Sequence, residues 1–243
     1  MSVPRLPNVE ACIIDLDGTM LDTAGDFHAA VNAMLTELAE RHHLDCAPLS
    51  REQIISFVGK GSENLMRRVL DVSVPPVAAN GLFAEALALY NGHYIAVNGQ
   101  HVEMYPEVLE GLEALKTGGL RLACVTNKPH DFTVPLLKTT GLAPFFELVY
   151  CGDTFPYRKP DPYPMLQVAA AFNIAPDRFV AIGDSENDAK AARAASMRVL
   201  TVPYGYNHGQ AIQSVDSDGI VSSLLEAAQW IGAAPVQPAG SVA

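Results

Sequence analysis

Positive charge is scarce in this chain of 243 residues, with 16 lysines and arginines against 27 aspartates and glutamates, for a formal net charge of −11. No basic cluster rises above pairs such as Arg67-Arg68. Nucleic acid and anionic membrane are excluded as main partners, because both are held through patches of cationic side chains. A small anionic substrate stays compatible, provided a local positive site is built within the repulsive overall field. Cysteine is scarce as well: Cys12, Cys46, Cys124 and Cys151 have no paired spacing. Three of them lie in apolar, strand-like runs, the pattern of buried reduced thiols in a reducing compartment. The opening MSVPRLPNVE has no apolar core of a signal peptide, and no apolar run approaches the length of a membrane span. A cytoplasmic location is therefore expected. With 49% hydrophobic and 18% charged residues the composition is that of a globular protein, long enough for one large domain or two modest ones.

What is present is organised around Cys12-Ile13-Ile14-Asp15-Leu16-Asp17-Gly18-Thr19. Ile13 and Ile14 suit a buried parallel strand, and Gly18 lets the chain turn at its carboxyl end, where ligands bind in open α/β sheets. Asp15 and Asp17, two apart on an extended chain, share a face. Two close carboxylates repel, so the pair calls for a metal ion or for a shared proton and acid–base work.

From about Thr23 to Asn98 the chain has helical periodicity and no convincing strand. Phe27, Ala30, Val31, Met34, Leu35 and Leu38 form one apolar stripe, and Leu65, Met66, Val69 and Leu70 another. Ser50 with Gln53 has the spacing of a capping box. From Tyr105 strands alternate with helices, which predicts a parallel sheet. Strands are expected at Leu120–Thr126, Leu148–Cys151, Phe179–Ile182 and Val199–Val202, and Asp161-Pro162 reads as the N-cap and first residue of a helix. The fold class that follows is α/β: a Rossmann-like parallel-sheet core over 1–22 and 99–232, an inserted all-helical cap over 23–98, and a disordered tail over 233–243. An insert after the first strand lands over the strand ends, as a lid would.

Four polar features stand just beyond four strands: Asp15/Asp17, Thr126-Asn127, Lys159 on a longer loop, and Asp184/Asp188. Several carboxylates with one lysine suit a hard divalent cation, and oxygen donors favour Mg²⁺ over Zn²⁺. A threonine hydroxyl, an asparagine amide and a lysine ammonium match the three outer oxygens of a phosphate. His42-His43 cannot face one site on a helix and reads as surface, and His28 reads as structural.

DLDGT, a threonine at a strand end, a Lys-Pro and GDSENDA, in this order, resemble the haloacid dehalogenase (HAD) superfamily over nearly the whole chain. The insert is similar to that family's type 1 cap, and DTAGDFHAAVNAML with FVGKGSENLMRRVL resembles its phosphoglycolate phosphatase branch. The resemblance implies a Mg²⁺-dependent phosphatase acting on a small phosphate monoester, with 2-phosphoglycolate expected. Asp15 would be the nucleophile that takes the phosphoryl group, and Asp17 the acid and base. Asp15, the Asp17 backbone carbonyl and Asp184 would bind the metal. Thr126, Asn127, Lys159 and the Gly18 amide would bind phosphoryl oxygens, with Asp188 in support. Gly59, Lys60 and Gly61, just before a helix, are expected to receive the substrate's carboxylate. A phosphatase of a sugar phosphate or pyrophosphate and a phosphosugar mutase are the alternatives on this fold. A dehalogenase needs no acid at position 17, and a phospho-accepting receiver has no such insert. The chain could be a monomer or a homo-oligomer.

Overall fold

The computed structural model describes residues 6–233. In chain order its elements are β1 (Ala11–Ile14), β2 (Leu21–Asp22), α1 (Ala24–His42), α2 (Arg51–Phe57), α3 (Ser62–Ser73), α4 (Pro76–Val97), β3 (Glu103–Met104), α5 (Val108–Thr117), β4 (Arg121–Val125), α6 (His130–Thr139), β5 (Leu148–Tyr150), α7 (Tyr163–Phe172), β6 (Phe179–Gly183), α8 (Glu186–Ala194), β7 (Arg198–Thr201), β8 (Gly219–Ile220) and α9 (Leu224–Ile231). Six strands form a parallel sheet in the order β5-β4-β1-β6-β7-β8. The first strand in sequence thus lies inside the sheet, between two later ones. Such a strand is covered on both faces and must be apolar throughout; each residue of β1 is at most 1% exposed.

Alternation along β1 feeds two cores. Cys12 and Ile14 point to the face covered by α5, α6 and α9, packing with Leu112, Leu136 and Leu224. Ala11 and Ile13 point to the other, packing with Met165, Val168 and Ala191 of α7 and α8. A third core belongs to α1–α4, where Val31, Leu35, Ile54, Val69 and Tyr90 are buried together, joined by Phe132 and Tyr206 from the α/β body. Ser50 and Gln53 make both halves of their capping box, with Gln53 N–H donating to Ser50 Oγ (3.3 Å) and Ser50 N–H to Gln53 Oε1 (2.9 Å).

The structure departs from the sequence reading at several short elements. β2 and β3 pair antiparallel, Leu21 with Met104 and Asp22 with Glu103, and so carry the chain out to the helices and back. Helix α7 starts one residue later than expected. Asp161 Oδ1 accepts from Tyr163 N–H (2.9 Å), a local turn that precedes the helix, with Pro162 at the cap. Of the tail expected over 233–243, Ala233 still closes α9 by donating to Ala228 O (2.8 Å), and residues 234–243 lie outside those described. All four cysteines are free. Burial pushes the Cys12 thiol up to about 12, where it is inert. Among the described residues no helix is long and apolar enough to cross a membrane.

Candidate active site

Strand register decides which residues meet. Ile14 lies beside Cys124 of β4 and Ile182 of β6, and β4 and β6 each run one residue further, so the first residues beyond the three strands, Asp15, Thr126 and Asp184, emerge at one end of the sheet within a residue of one another in register. Asp15 is held in line by its own N–H, which donates to Ile182 O (3.0 Å). Gly18 turns the chain at φ +84°, and a Cβ there would stand 2.5 Å from Asp184 Oδ2, so the turn and the carboxylate fit only with glycine. Lys159 reaches in from the loop after β5. Its Nζ donates to Val125 O and Asp188 Oδ1 (both 2.6 Å) and lies 2.8 Å from Asp15 Oδ1. That last contact is an ion pair without hydrogen-bond alignment, and Asp15 Oδ1 accepts no hydrogen bond among the described residues. Thr126 is buried and its hydroxyl accepts from Lys128 N–H (3.2 Å), leaving its own proton for another acceptor.

Asp15, Asp184 and Asp188 each bring one carboxylate oxygen within 4.8 Å of the others. Burial first, and then neighbouring carboxylate charge, push Asp15 and Asp184 well above the usual range. Burial works against the Lys159 ammonium, but the charges of Asp15 and Asp188 outweigh it and keep it protonated. One lysine for three acids leaves negative charge in excess, and hard oxygen donors that close suit a small divalent cation. The free valences divide the three. Asp188 is used up, with Oδ1 on Lys159 and Oδ2 accepting from Ser185 N–H (3.2 Å) and Oγ–H (2.7 Å). Asp184 Oδ2 accepts from Tyr206 N–H (2.5 Å), whereas its Oδ1 has only the longer Thr19 hydroxyl contact of 3.3 Å. Asp15 and Asp184 are thus the side chains with an oxygen to give, and Asp188 serves to hold Lys159.

Asp17 turns away from this cluster toward the helices. It accepts from Thr23 Oγ1 (2.7 Å) and from Lys128 Nζ (3.0 and 3.2 Å). Lys128 is only 4% exposed; it donates to Tyr94 Oη (2.6 Å) and lies 4.7 Å from the centroids of the Phe27 and Tyr94 rings. Sequence reasoning missed Lys128 and Tyr94. The signal was there, since Lys128 directly follows Thr126-Asn127 at the strand end. Asn127 lies at the cleft as expected but is bonded otherwise. Its Nδ2 spends both hydrogens on Gly59 O (2.9 Å) and Lys159 O (2.7 Å), so the amide ties loops together and offers no free N–H to a phosphate.

The Gly59–Ser62 turn does overhang the cluster. Gly59 O also accepts from Asn187 Nδ2 (3.0 Å), and His208 Nδ1 donates to Val58 O (2.7 Å), so three side chains of the α/β body grip this turn. Because Nδ1 carries the proton, His208 Nε2 accepts from Asn187 (3.0 Å). Gly59, Gly61 and Ser62 line a cleft together with Asp15, Asp17, Thr126 and Lys159. Lys60 is exposed and is not among the residues that line it. Besides Ser62, the helices α1, α3 and α4 contribute Phe27, Leu65 and Tyr90 to the cleft wall. His28 and His43 are exposed, and His42, also exposed, pairs with Glu85 on the surface (2.7 Å).

A parallel α/β sheet with acids, a threonine and a buried lysine at its strand ends, under an inserted helical unit, defines a hydrolase of the doubly wound class. The chain belongs to the haloacid dehalogenase-like hydrolase family, whose model matches residues 9–196. It is 45% identical to a phosphoglycolate phosphatase of Thiobacillus denitrificans over 227 residues, covering 92% of this chain and 96% of the relative. A phosphoglycolate phosphatase of Nitrosospira multiformis is also 45% identical, over 223 residues, with 92% and 96% covered. Among solved structures, a predicted phosphoglycolate phosphatase from Haemophilus somnus superposes with a TM-score of 0.81 at 27% identity, covering 92% of this chain and 98% of that one.

Proposed function

We propose that this chain is a Mg²⁺-dependent phosphatase that hydrolyses 2-phosphoglycolate to glycolate and phosphate through an aspartyl-phosphate on Asp15. One observation carries the chemistry: a carboxylate oxygen without a hydrogen bond, on Asp15, stands among Lys159, Thr126 and Asp184 at the mouth of the cleft. Phosphoryl transfer asks the protein mainly for positioning and for charge neutralisation. Asp15 would attack phosphorus while Lys159 and the Thr126 hydroxyl hold two of the outer oxygens. The P–O bond to glycolate breaks as the Asp17 carboxyl gives the departing oxygen its proton. Asp17, now a carboxylate, then takes a proton from the water that attacks the phosphorus of the acyl phosphate, which returns Asp15 and releases phosphate. Asp15, Asp184 and the Asp17 carbonyl would hold Mg²⁺, whose contribution when bound is to offset charge on the phosphoryl oxygens.

The cap supplies the choice of substrate. The α3 N-terminus at Gly61-Ser62 faces the cleft and has no side-chain cap, so its amides are available to a carboxylate. The test is phosphate release from a panel of monoesters with Mg²⁺: phosphoglycolate should be turned over faster than ethyl phosphate or sugar phosphates. Asp15→Asn and Asp15→Ala should abolish release while the protein stays folded. Substantial turnover by a verified Asp15→Ala sample would remove the covalent route.

A further inference from the structure

Tyr90, in the middle of α4, is 0% exposed, and its hydroxyl makes no well-aligned hydrogen bond among the described residues, although the Ser62 side chain at the start of α3 approaches it. A buried hydroxyl without a partner costs stability, on the order of 1–3 kcal/mol, and native structures rarely tolerate it without a purpose. The ring is held firmly, with Tyr94 at 5.5 Å and Phe132 edge-on at 6.5 Å between centroids. Its position is therefore fixed by packing, and the hydroxyl is left where that packing points it. Tyr90 lines the same cleft as Asp15, Lys159, Gly61 and Ser62. Burial holds its hydroxyl well above the usual tyrosine value, so it is a proton donor at any working pH.

We propose that Tyr90 is a specificity-determining residue, which donates its hydroxyl proton to the carboxylate of the substrate while the α3 N-terminal amides at Ser62 receive the same group. This rests on the reading of the enzyme as a phosphatase of a small phosphorylated acid. Two independent features converge on one acceptor: an uncapped twelve-residue helix whose first turn opens on the cleft, and an unpartnered hydroxyl buried beside it. Of the remaining cap side chains at the cleft, Phe27, Val58 and Leu65 are apolar and can receive only the carbon between the two charged ends, and the Ser62 hydroxyl adds one more neutral dipole. No charged side chain of α1–α4 is among the lining residues, and Lys60 is exposed outside. The cap then reads an anion with dipoles alone. Such a site favours a compact planar acceptor over a second phosphate, whose larger charge would lack a counter-ion.

Tyr90→Phe removes one oxygen and keeps the ring. The measurement is the ratio of kcat/KM for phosphoglycolate to kcat/KM for ethyl phosphate, taken on one preparation so that any loss of folded enzyme cancels. The ratio should fall ten- to a hundredfold, through phosphoglycolate alone, with ethyl phosphate changed less than about twofold. The melting temperature of the free variant should stay level or rise, because an unsatisfied buried hydroxyl has been removed. An unchanged ratio, whether both esters fall together or neither does, would overturn the role of Tyr90. A wild-type enzyme that prefers ethyl phosphate would instead overturn the underlying substrate reading.

Discussion

Lys159 is the residue on which the acidic cluster depends. Its side chain is 2% exposed and within 2.8 Å of two carboxylates that pair with no other cation among the described residues. Removing one member of a buried ion pair leaves the other charge without compensation, at a cost of about 3–5 kcal/mol. Lys159→Met should lose about that much in urea unfolding at pH 7.5, measured without metal. The loss should shrink at pH 5, where Asp15, raised to about 7, takes up a proton and the excess negative charge falls. An equal loss at both pH values would mean that Lys159 acts through packing. Positions such as Asp15, Thr126, Lys159 and Asp184 were legible in sequence because each follows a short apolar run, and strand ends converge in this fold. Direction was not legible. Asn127 sits where expected but spends its amide on two carbonyls, and Lys60 is one residue from the cleft but outside it. Tyr90 reads in sequence as one more apolar-face aromatic, since nothing in a helical stripe tells which hydroxyl lacks a partner.

The elements that meet over the site are α1, α4 and the start of α6, and Lys128 joins them. It ties Asp17 of the sheet mouth to Tyr94 of α4 and covers Phe27 of α1. Lys128→Met should lower kcat more than it changes KM, because it frees the proposed acid, and should cost roughly 1.5–3 kcal/mol of stability. Tyr94→Phe keeps the pair with Asp17, and should cost roughly 0.5–1.5 kcal/mol with a smaller loss of kcat. Steady-state kinetics beside urea titrations separate the two; if Lys128→Met raised KM alone, the strut would serve binding. Helices and long strands were legible from their periods. β2, β3 and β8, two residues each, carry no period, and the grip of Asn127, Asn187 and His208 on the Val58-Gly59 turn links positions far apart in sequence.

Over the whole molecule, net charge −11 and the acidic cluster act in the same direction. Asp15 rises to about 7 and Asp184 to about 8, each because of burial and then neighbouring charge, against an ordinary value near 4. An acid whose folded value is raised binds its proton more tightly in the fold. Its contribution to the stability of the metal-free protein is therefore full below about pH 4 and lost as pH rises toward 8. A divalent cation competes for the same oxygens, so Mg²⁺ should raise the melting temperature more at pH 8 than at pH 6. A shift independent of pH would place the ion elsewhere. Exhaustive chelation should remove activity, and Ca²⁺, which takes more ligands at longer distance, should not restore it in full.

The antiparallel pair of β2 and β3 has a consequence for descent. Asp22 and Glu103 are neighbours in space, so the segment between them begins and ends at one point of the surface. A length of gene can be replaced between two such points while every strand of the parallel sheet keeps its register. On the function proposed above, chemistry and choice of substrate would then be carried by separate stretches of the chain. A graft across residues 22 and 103 is where a protein engineer would cut, keeping Thr23, Tyr94 and the Val58-Gly59 turn, through which the α/β body and the inserted helices hold one another.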